Sequence, residues 1–315
     1  MRHQFLGRLA ARAVRRSARQ AGIALVYHRV GIPGGDERYE LVPALHSGLF
    51  AAHLHHLRAN YRVVPPSRLF EAANERRPGE RFPVAITFDD DLRSHADVVA
   101  PALVRAGLPA AFFLCGAPGD IPRVFWWQDL QALVDERRLP VRLSTWPDFD
   151  LGPAARGLPG AIHDVAEHIE RLGPEARDTV AAELRALADG ERRRLSDRDV
   201  RGIIAAGFEI GFHTRRHYLL STLDDPALRS AMNEGRESLE ELVGERLTMI
   251  AYPHGKADGR IAAAARAEGY ERGFTGWPFP VGPTTDPLLI GRFEAPPVPA
   301  RELGRLITRI LEGAP

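Results

Sequence analysis

The chain has 315 residues, a length typical of two average domains or of one large α/β barrel. Hydrophobic residues make up 44% and charged residues 26%, which excludes a disordered chain, a collagen-like repeat and a disulfide scaffold. The net charge of +1 gives no general attraction to nucleic acid, so we expect no nucleic-acid partner. The single cysteine, Cys115, excludes an internal disulfide.

The first 20 residues are basic and amphipathic. Seven arginines precede the first acidic residue, Asp36; they are Arg2, Arg8, Arg12, Arg15, Arg16, Arg19 and Arg29. Apolar residues recur among them at near-helical spacing, which predicts a basic amphipathic helix over residues 1–20. Packing on the domain, contact with a membrane surface and a targeting role are all open for this helix.

Two hydrophobic signals are absent from the sequence. No apolar run of about 7–15 residues follows the basic segment, so we expect no secretory signal peptide. No stretch approaches the roughly 18 apolar residues of a membrane span. We therefore expect a cytoplasmic protein that contacts the inner membrane surface through residues 2–19.

From residue 21 onward, short apolar runs alternate with helical patterns. The predicted strands are Ile23–His28, Tyr61–Val64, Pro83–Phe88, Ala110–Cys115, Phe208–Phe212, Thr248–Tyr252, Glu271–Thr275 and Leu288–Phe293. The predicted helices are Ser47–Asn60, Ser67–Arg76, a helix that ends near Gly107, a helix from Ser196 to about Ala206, Asp225–Val243, Gly259–Glu268 and Ala300–Leu311. Ser47 is the predicted N-cap of the first of these helices. Ser196 is the predicted N-cap of the helix that ends near Ala206, with Asp199 at position N3. Such alternation favours a parallel sheet, either a barrel or a doubly wound sheet.

Residues 116–195 interrupt this alternation. The stretch is rich in proline up to Pro159 and then charged and helical in pattern from Ile162 to Arg194. We interpret it as an insertion over one end of a single domain that spans residues 21–315.

Polar side chains mark the ends of several predicted strands. They are His28, Asp89, Asp90, His213 and His254. In parallel α/β folds the carboxyl ends of the strands are where ligands bind and chemistry occurs. The pattern therefore predicts one functional site at that edge.

Two of these positions belong to motifs that suit a metal ion. An apolar strand ending in Asp89, Asp90 and Asp91 concentrates carboxylates that repel one another unless a cation is present. His213 and His217, at i and i+4, can face the same side of a helical turn and offer two imidazole nitrogens. Two histidines and one carboxylate leave coordination positions open for water and substrate, as catalytic sites require.

The motifs together resemble the polysaccharide deacetylase family, or NodB-homology domain. The residues that carry the resemblance are Thr87-Phe88-Asp89-Asp90, His213-Thr214-x-x-His217 and Tyr252-Pro253-His254-Gly255, with Val26–Val30 similar to the opening strand. It covers roughly residues 21–293. The third motif is similar to that of the branch with a Tyr-Pro-x-Gly pattern.

The resemblance implies a distorted (β/α) barrel of about seven parallel strands with a helical insertion. It also implies a metal-dependent hydrolase that removes acetyl groups, on nitrogen rather than oxygen, from a sugar or glycan substrate, with metal-bound water as nucleophile. Asp89 would be the general base, and a divalent ion, zinc for preference, would be held by Asp90, His213 and His217. The backbone N–H of His254 would stabilise the oxyanion.

Two departures from the family pattern affect the expected activity. Ala251 stands where many members have an arginine that braces the catalytic aspartate, and no histidine follows Lys256, so the family's proton-donating histidine is absent. His28, His254 and His95 are the candidates to replace it. We predict His28, at the rim of the metal site, because a barrel brings its first and last strands together.

Other functions fit the same residues. A carbohydrate-binding or regulatory protein of low or no activity would keep the fold and the metal while lacking the arginine and the histidine. A non-haem iron oxygenase uses the same two-histidine, one-carboxylate ligand set.

Overall fold

A computed structural model describes residues 17–34, 36–116, 125–188 and 195–312. Most of the predicted basic helix over residues 1–20 lies outside the described residues. None of the helices described has the length and apolarity that crossing a bilayer requires.

The centre of the fold is a sheet of eight strands whose neighbours all run parallel, and a two-stranded pair lies beside it. The strands in chain order are β1 (Ile23–Tyr27), β2 (Val30–Gly31), β3 (Leu45–His46), β4 (Arg62–Val63), β5 (Pro83–Phe88), β6 (Ala111–Leu114), β7 (Glu209–Phe212), β8 (Met249–Ala251), β9 (Arg272–Phe274) and β10 (Arg292–Glu294). The separate pair is formed by β2 and β3.

Seven strands form a nearly closed ring in the order β10-β1-β5-β6-β7-β8-β9, and β4 pairs with the start of β5. The seam between β9 and β10 is narrow. Ile290 bridges Phe274 in parallel: its N–H donates to the Gly273 carbonyl and its carbonyl accepts from the Thr275 N–H, both at 2.8 Å. This architecture confirms the predicted distorted (β/α) barrel of about seven parallel strands.

Helices surround the ring and follow most of the strands. They are α1 (Ser47–Asn60), α2 (Leu69–Asn74), α3 (Ala100–Ala106), α4 (Trp126–Asp135), α5 (Gly152–Ala155), α6 (Ala161–Arg171), α7 (Pro174–Leu187), α8 (Asp197–Ala205), α9 (Asp225–Asn233), α10 (Arg236–Val243), α11 (Gly259–Ala267) and α12 (Ala300–Glu312). The predicted helix Ser67–Arg76 is a 3-10 turn, Pro66–Arg68, followed by the short α2.

The single helix predicted over Asp225–Val243 is wrong, because Gly235 interrupts it. Gly235 has φ +80°, a left-handed conformation that glycine adopts at little cost. A Cβ atom there would also overlap the carbonyl of Gly116. The positive φ and the close contact with Gly116 therefore both require glycine at this position.

The two predicted helix caps have different outcomes. At α8 the Ser196 hydroxyl accepts from the Asp199 N–H, and the Asp199 carboxylate accepts from the Ser196 N–H at 2.9 Å, which confirms the predicted cap. At α1 the predicted N-cap Ser47 is wrong. The ring nitrogen Nδ1 of His46 accepts from the Gly48 N–H instead, and Ser47 is the first helical residue.

The strands present unequal faces to the two sides of the ring. Their outward side chains, among them Ile23, Leu25 and Phe88, pack with the surrounding helices in the main core. The inner faces combine four alanines, Ala24, Ala85, Ala111 and Ala251, with the larger Phe113, Met249 and Phe274. Large side chains therefore fill part of the barrel interior, and the candidate site lies at the carboxyl ends of the strands.

Candidate metal centre

All six side chains predicted for the site lie in one cleft of about 990 Å³ at the carboxyl ends of the strands. They are His28, Asp89, Asp90, His213, His217 and His254. The far wall of the cleft includes Trp126 and Trp127 from α4 and Glu170 from α6. The barrel therefore supplies the reactive groups, and the helices of residues 126–187 supply part of the surrounding surface.

Asp90, His213 and His217 form a compact group of metal-ligating side chains, all buried. The Oδ1 atom of Asp90 lies 3.4 Å from Nε2 of His213 and 3.8 Å from Nε2 of His217. One ligand atom from each residue lies within 4.8 Å of the other two. The buried Oδ1 of Asp90 makes no hydrogen bond within the part of the chain described. A buried acceptor without a donor is the arrangement that a cation would satisfy.

The orientation of His213 is fixed by the barrel. Its Nδ1 lies 2.8 Å from the carbonyl oxygen of Ala251, and because a carbonyl only accepts, Nδ1 carries the proton. The lone pair of Nε2 is then free to face Asp90. Two imidazole nitrogens and a carboxylate oxygen are ligands that zinc prefers, so the residues present fit the divalent ion that the resemblance implies.

The rings of His213 and His217 are brought together by a loop, whereas the spacing predicted a helical turn. Residues 213–219 form a loop, in which Thr214 and His217 are left-handed with φ of 58° and 51°. The Thr214 hydroxyl accepts from the His217 N–H, and the guanidinium of Arg177 donates to the His217 carbonyl at 3.0 Å. The prediction that the rings converge holds, while the predicted helical geometry is wrong.

Backbone strain is concentrated at this site. Six non-glycine residues in the described ranges have positive φ, and five of them lie in or beside the cleft: Asp90, Asp91, Thr214, His217 and His254. Each such conformation costs of order 1–3 kcal/mol and persists only where the surrounding structure enforces it. The backbone is therefore held in conformations that aim these side chains at the expense of local stability.

Asp89 is bound by an arginine that the motif analysis missed. The guanidinium of Arg292, on β10, donates to Oδ1 and Oδ2 of Asp89 at 2.8 and 2.7 Å. Both side chains are buried, and the Nε of Arg292 also donates to the Thr275 carbonyl at 3.1 Å. Arg292 thus braces the predicted base from β10, although Ala251 occupies the position where many family members carry their arginine.

The charges around Asp89 keep it ionised. Burial alone would raise the pKa of this carboxyl, but the Arg292 guanidinium and the His213 imidazole outweigh burial and lower it below its usual range. Asp89 is a carboxylate at neutral pH, with one oxygen 4.0 Å from Nε2 of His213. A base beside the ligand group is therefore present in its active ionisation state.

The two remaining predicted residues have carboxylate neighbours. Nδ1 of His28 lies 3.9 Å from Glu294, and the ring is 31% exposed at the edge of the cleft. Nε2 of His254 lies 3.4 Å from Glu170, and burial lowers the pKa of His254 to about 4. At neutral pH His254 is therefore uncharged.

Comparison with known proteins shows which family and which solved structures this chain resembles. The pattern of the polysaccharide deacetylase family matches residues 166–273, which include His213, His217 and the Tyr252–Gly255 turn. No curated protein sequence matches the chain at a significant level.

Several solved structures share the fold. A Streptococcus pyogenes deacetylase, PplD, is 16% identical with a TM-score of 0.61, over 91% of this chain and 97% of that one. IcaB from Ammonifex degensii is 18% identical with a TM-score of 0.57, over 93% and 97%. A de-N-acetylase from Aggregatibacter actinomycetemcomitans is 16% identical with a TM-score of 0.54, over 88% and 95%. At these identities the likeness establishes the fold. The predicted resemblance to the polysaccharide deacetylase family is confirmed by the family pattern over residues 166–273, and the solved structures confirm the barrel fold; the branch with a Tyr-Pro-x-Gly motif stays a prediction.

Proposed function

We propose that this protein is a metal-dependent hydrolase that removes the N-acetyl group from a sugar of a glycan. The observation that carries the proposal is the pairing of two sets of buried groups in one cleft. Asp90, His213 and His217 form a ligand set, and Asp89 lies beside it as a carboxylate held by Arg292. In metal-assisted hydrolysis of an unactivated amide, a Lewis acid and a base act on the same water molecule.

The roles of the residues follow from their positions. A divalent ion such as zinc, bound by Asp90, His213 and His217, would polarise the acetyl carbonyl and lower the pKa of a water molecule. Asp89 accepts a proton from the attacking water, because it is ionised and one oxygen faces His213. Arg292 keeps the Asp89 carboxylate in that orientation through both of its terminal nitrogens.

The strand-end turn at Pro253-His254-Gly255 supplies the proposed oxyanion donor. The Gly255 N–H donates to the Tyr252 carbonyl at 2.9 Å, and His254 is left-handed with φ of 57°. These two features fix the backbone of the turn, including the His254 N–H. We assign the His254 N–H to the developing oxyanion. One donor of this kind typically contributes about 3 kcal/mol to the stabilisation of the transition state.

His28 is the proposed proton donor to the leaving nitrogen. It lies in the cleft, directly after β1, the strand between β10 and β5, and its Nδ1 is 3.9 Å from the Glu294 carboxylate. Its proton passes to the departing amine as the carbon–nitrogen bond breaks. The acetate and the free amino sugar are then released.

The activity is tested by acetate release. Zinc-reconstituted protein would be assayed against N-acetylated oligosaccharides, O-acetylated glycans and nucleotide- and lipid-linked N-acetyl sugars, with metal-free protein and the Asp89→Asn variant as controls. We expect release from at least one N-acetylated substrate that requires both metal and Asp89. Metal-loaded protein that binds a glycan and releases no acetate from any substrate would favour the binding-protein alternative. Iron as the retained metal, with oxygen consumption, would favour the oxygenase.

A further inference from the structure

The end of the barrel opposite the cleft carries an excess of arginine. Exposed or half-exposed arginines cluster where the strands begin and where α1 and α12 end; they are Arg19, Arg58, Arg62, Arg77, Arg81, Arg305 and Arg309. The acidic residues in the segments that carry these arginines are Glu75, Glu80, Glu302 and Glu312, and Glu209 and Glu271 lie at the starts of β7 and β9. We call this surface the basic face.

Hydrogen bonds hold its segments together. Arg19 donates to the Leu311 carbonyl at 2.7 Å, which joins the start of β1 to the end of α12. Arg81, just before β5, donates to the Arg58 carbonyl in the last turn of α1 at 3.2 Å. The Tyr61 hydroxyl, at the C-cap of α1, contacts the Gly304 carbonyl of α12 at 3.5 Å. The arginines therefore lie on one continuous, ordered surface.

These guanidinium groups have no acidic partners. Within the described ranges none of the seven arginines of the basic face forms an ion pair, whereas many other surface arginines do, such as Arg93 with Asp97 and Arg266 with Asp286. On α12, the exposed Arg301, Arg305 and Arg309 follow one another at i, i+4 and i+8 along a single helix face. Aligned cations without counter-ions present an electrostatic potential that attracts an extended anion.

The chain ahead of the described residues joins this surface at its centre. The buried guanidinium of Arg76 donates to the carbonyls of Ser17 and Arg19 at 3.0 and 2.8 Å, so residue 17 is fixed at the strand-start end of the barrel. Residues 1–16 carry five more arginines and no acidic residue. The sequence that precedes Ser17 is therefore attached to the barrel at the same end as the basic face.

We infer that the basic face binds the anionic phospholipid surface of a membrane, with the cleft directed away from the bilayer. An ordered array of arginines, to which a basic sequence is attached at Ser17, suits a charged plane, because several guanidinium groups can bind it at once. The cleft opens at the carboxyl ends of the strands, and the basic face lies at their amino ends. A protein bound in this way reaches its substrate from the aqueous side.

The experiment is co-sedimentation of the full chain with vesicles of phosphatidylglycerol and phosphatidylcholine, compared with vesicles of phosphatidylcholine alone. The test variant carries Arg58→Gln, Arg81→Gln, Arg305→Gln and Arg309→Gln and keeps residues 1–16. The matched control carries Arg142→Gln, Arg156→Gln, Arg198→Gln and Arg229→Gln, which removes the same number of exposed arginines elsewhere on the surface.

We expect the parent and the control variant to bind anionic vesicles at low salt and to dissociate at high salt, with little binding to neutral vesicles. Because each basic side chain at an anionic surface contributes about fivefold, the test variant should bind at least about 100-fold more weakly. Acetate release from a soluble substrate should be unchanged in both variants, so failure of the proposed activity is separable from failure of this proposal.

Three results would overturn it. They are equal binding of the test variant and the parent, equal binding to neutral vesicles, and binding to a soluble polyanion such as heparin with none to anionic vesicles. The last result would assign the basic face to an acidic polymer. Circular dichroism of both variants checks that the substitutions leave the fold intact.

Discussion

The guanidinium of Arg292 and the carboxylate of Asp89 form a doubly hydrogen-bonded pair across the inside of the barrel. The two residues are 203 positions apart, and the strands that carry them, β10 and β5, are separated by β1. Each terminal nitrogen of Arg292 binds one carboxylate oxygen, so the plane of the carboxylate is fixed as well as its charge. The orientation of the proposed base therefore depends on a residue from the last strand of the sheet.

Replacing Arg292 should affect stability and activity together. Arg292→Gln leaves Asp89 buried without its partner, and breaking a buried pair on one side costs about 3–5 kcal/mol in the free energy of unfolding. Without the guanidinium, burial raises the pKa of Asp89, so the acidic limb of the pH dependence of kcat/KM should move to higher pH. Arg292→Lys keeps the charge without the two-bonded geometry and should recover stability better than activity.

Urea denaturation and the pH dependence of acetate release measure these effects. Arg266→Gln is the control, because Arg266 forms an exposed ion pair with Asp286 whose loss should change stability by at most about 1 kcal/mol. An Arg292→Gln variant as stable as that control, with an unchanged pH profile, would contradict the bracing role.

Substitutions of Asp89 and Asp90 should have different effects on zinc affinity and on turnover. Asp90→Asn removes the only carboxylate of the ligand set, so zinc affinity should fall, whereas Asp89→Asn leaves the ligands intact and removes the base. We expect Asp89→Asn to retain zinc and to lose about 10²–10⁴-fold in kcat. Metal content after dialysis and acetate release are the measurements. Equal zinc retention and turnover in both variants would refute the assignment of the roles.

His28→Ala should distinguish amide from ester cleavage. A departing amine needs a proton, whereas an alkoxide leaves with less help, so acetate release should slow by about 100-fold for an N-acetylated substrate and by much less for an O-acetylated one. His55→Ala, an exposed position on α1, is the control and should leave both rates unchanged. Equal slowing of amide and ester cleavage would remove His28 as the donor and leave Asp89 to return the proton that it accepted.

Glu183 predicts an acid-dependent change in stability remote from the cleft. Burial opposes its ionisation, but hydrogen bonds from the N–H and hydroxyl groups of Thr145 and Ser144 outweigh burial and lower the pKa of Glu183 to about 2. A carboxyl with a depressed folded-state pKa adds stability above its usual pKa and loses it as the pH falls. The difference in unfolding free energy between the parent and Glu183→Gln should therefore be constant above about pH 5 and shrink as the pH approaches 3.

Urea midpoints of the two proteins between pH 7 and pH 3 provide this measurement. Glu175→Gln, in the first turn of the same helix, is the control, and its difference from the parent should not follow the same course. The difference in unfolding free energy between the parent and Glu183→Gln could instead stay constant down to pH 3. That result would show that the hydrogen bonds from residues 144 and 145 do not depend on the charge of Glu183.

The sequence predicted a parallel α/β sheet and the membership of the site because both depend on local patterns, whereas the choice of a barrel came from the resemblance to the polysaccharide deacetylase family. A strand is a run of apolar residues, and a polar side chain directly after it lies at the carboxyl edge of the sheet, as Asp89 and His213 do. The route by which His217 reaches His213 was not predictable from spacing. It depends on two left-handed residues and on a hydrogen bond from Arg177, 40 positions away.

Arg292 was missed because its partner is distant in sequence and it stands outside the position expected for the family's arginine. One signal was available. Arg292 interrupts the apolar run Leu288–Phe293, and a charged residue in a buried strand almost always has a buried partner. The break at Gly235 was hidden for another reason, since an isolated glycine in a helical pattern is often tolerated and only its contact with Gly116 shows that it is required.

Arg292, which orients Asp89, also connects the two sides of the seam between β9 and β10. Besides Asp89, Arg292 binds the Thr275 carbonyl at the end of β9, where β9 and the chain leading to β10 are joined by the bonds of Ile290. Opening of this seam therefore releases Asp89, and anchoring of Asp89 resists opening. Native-state hydrogen exchange should report this coupling: the amides of Ile290 and Thr275 should exchange by local opening in the parent and markedly faster once Arg292 is replaced.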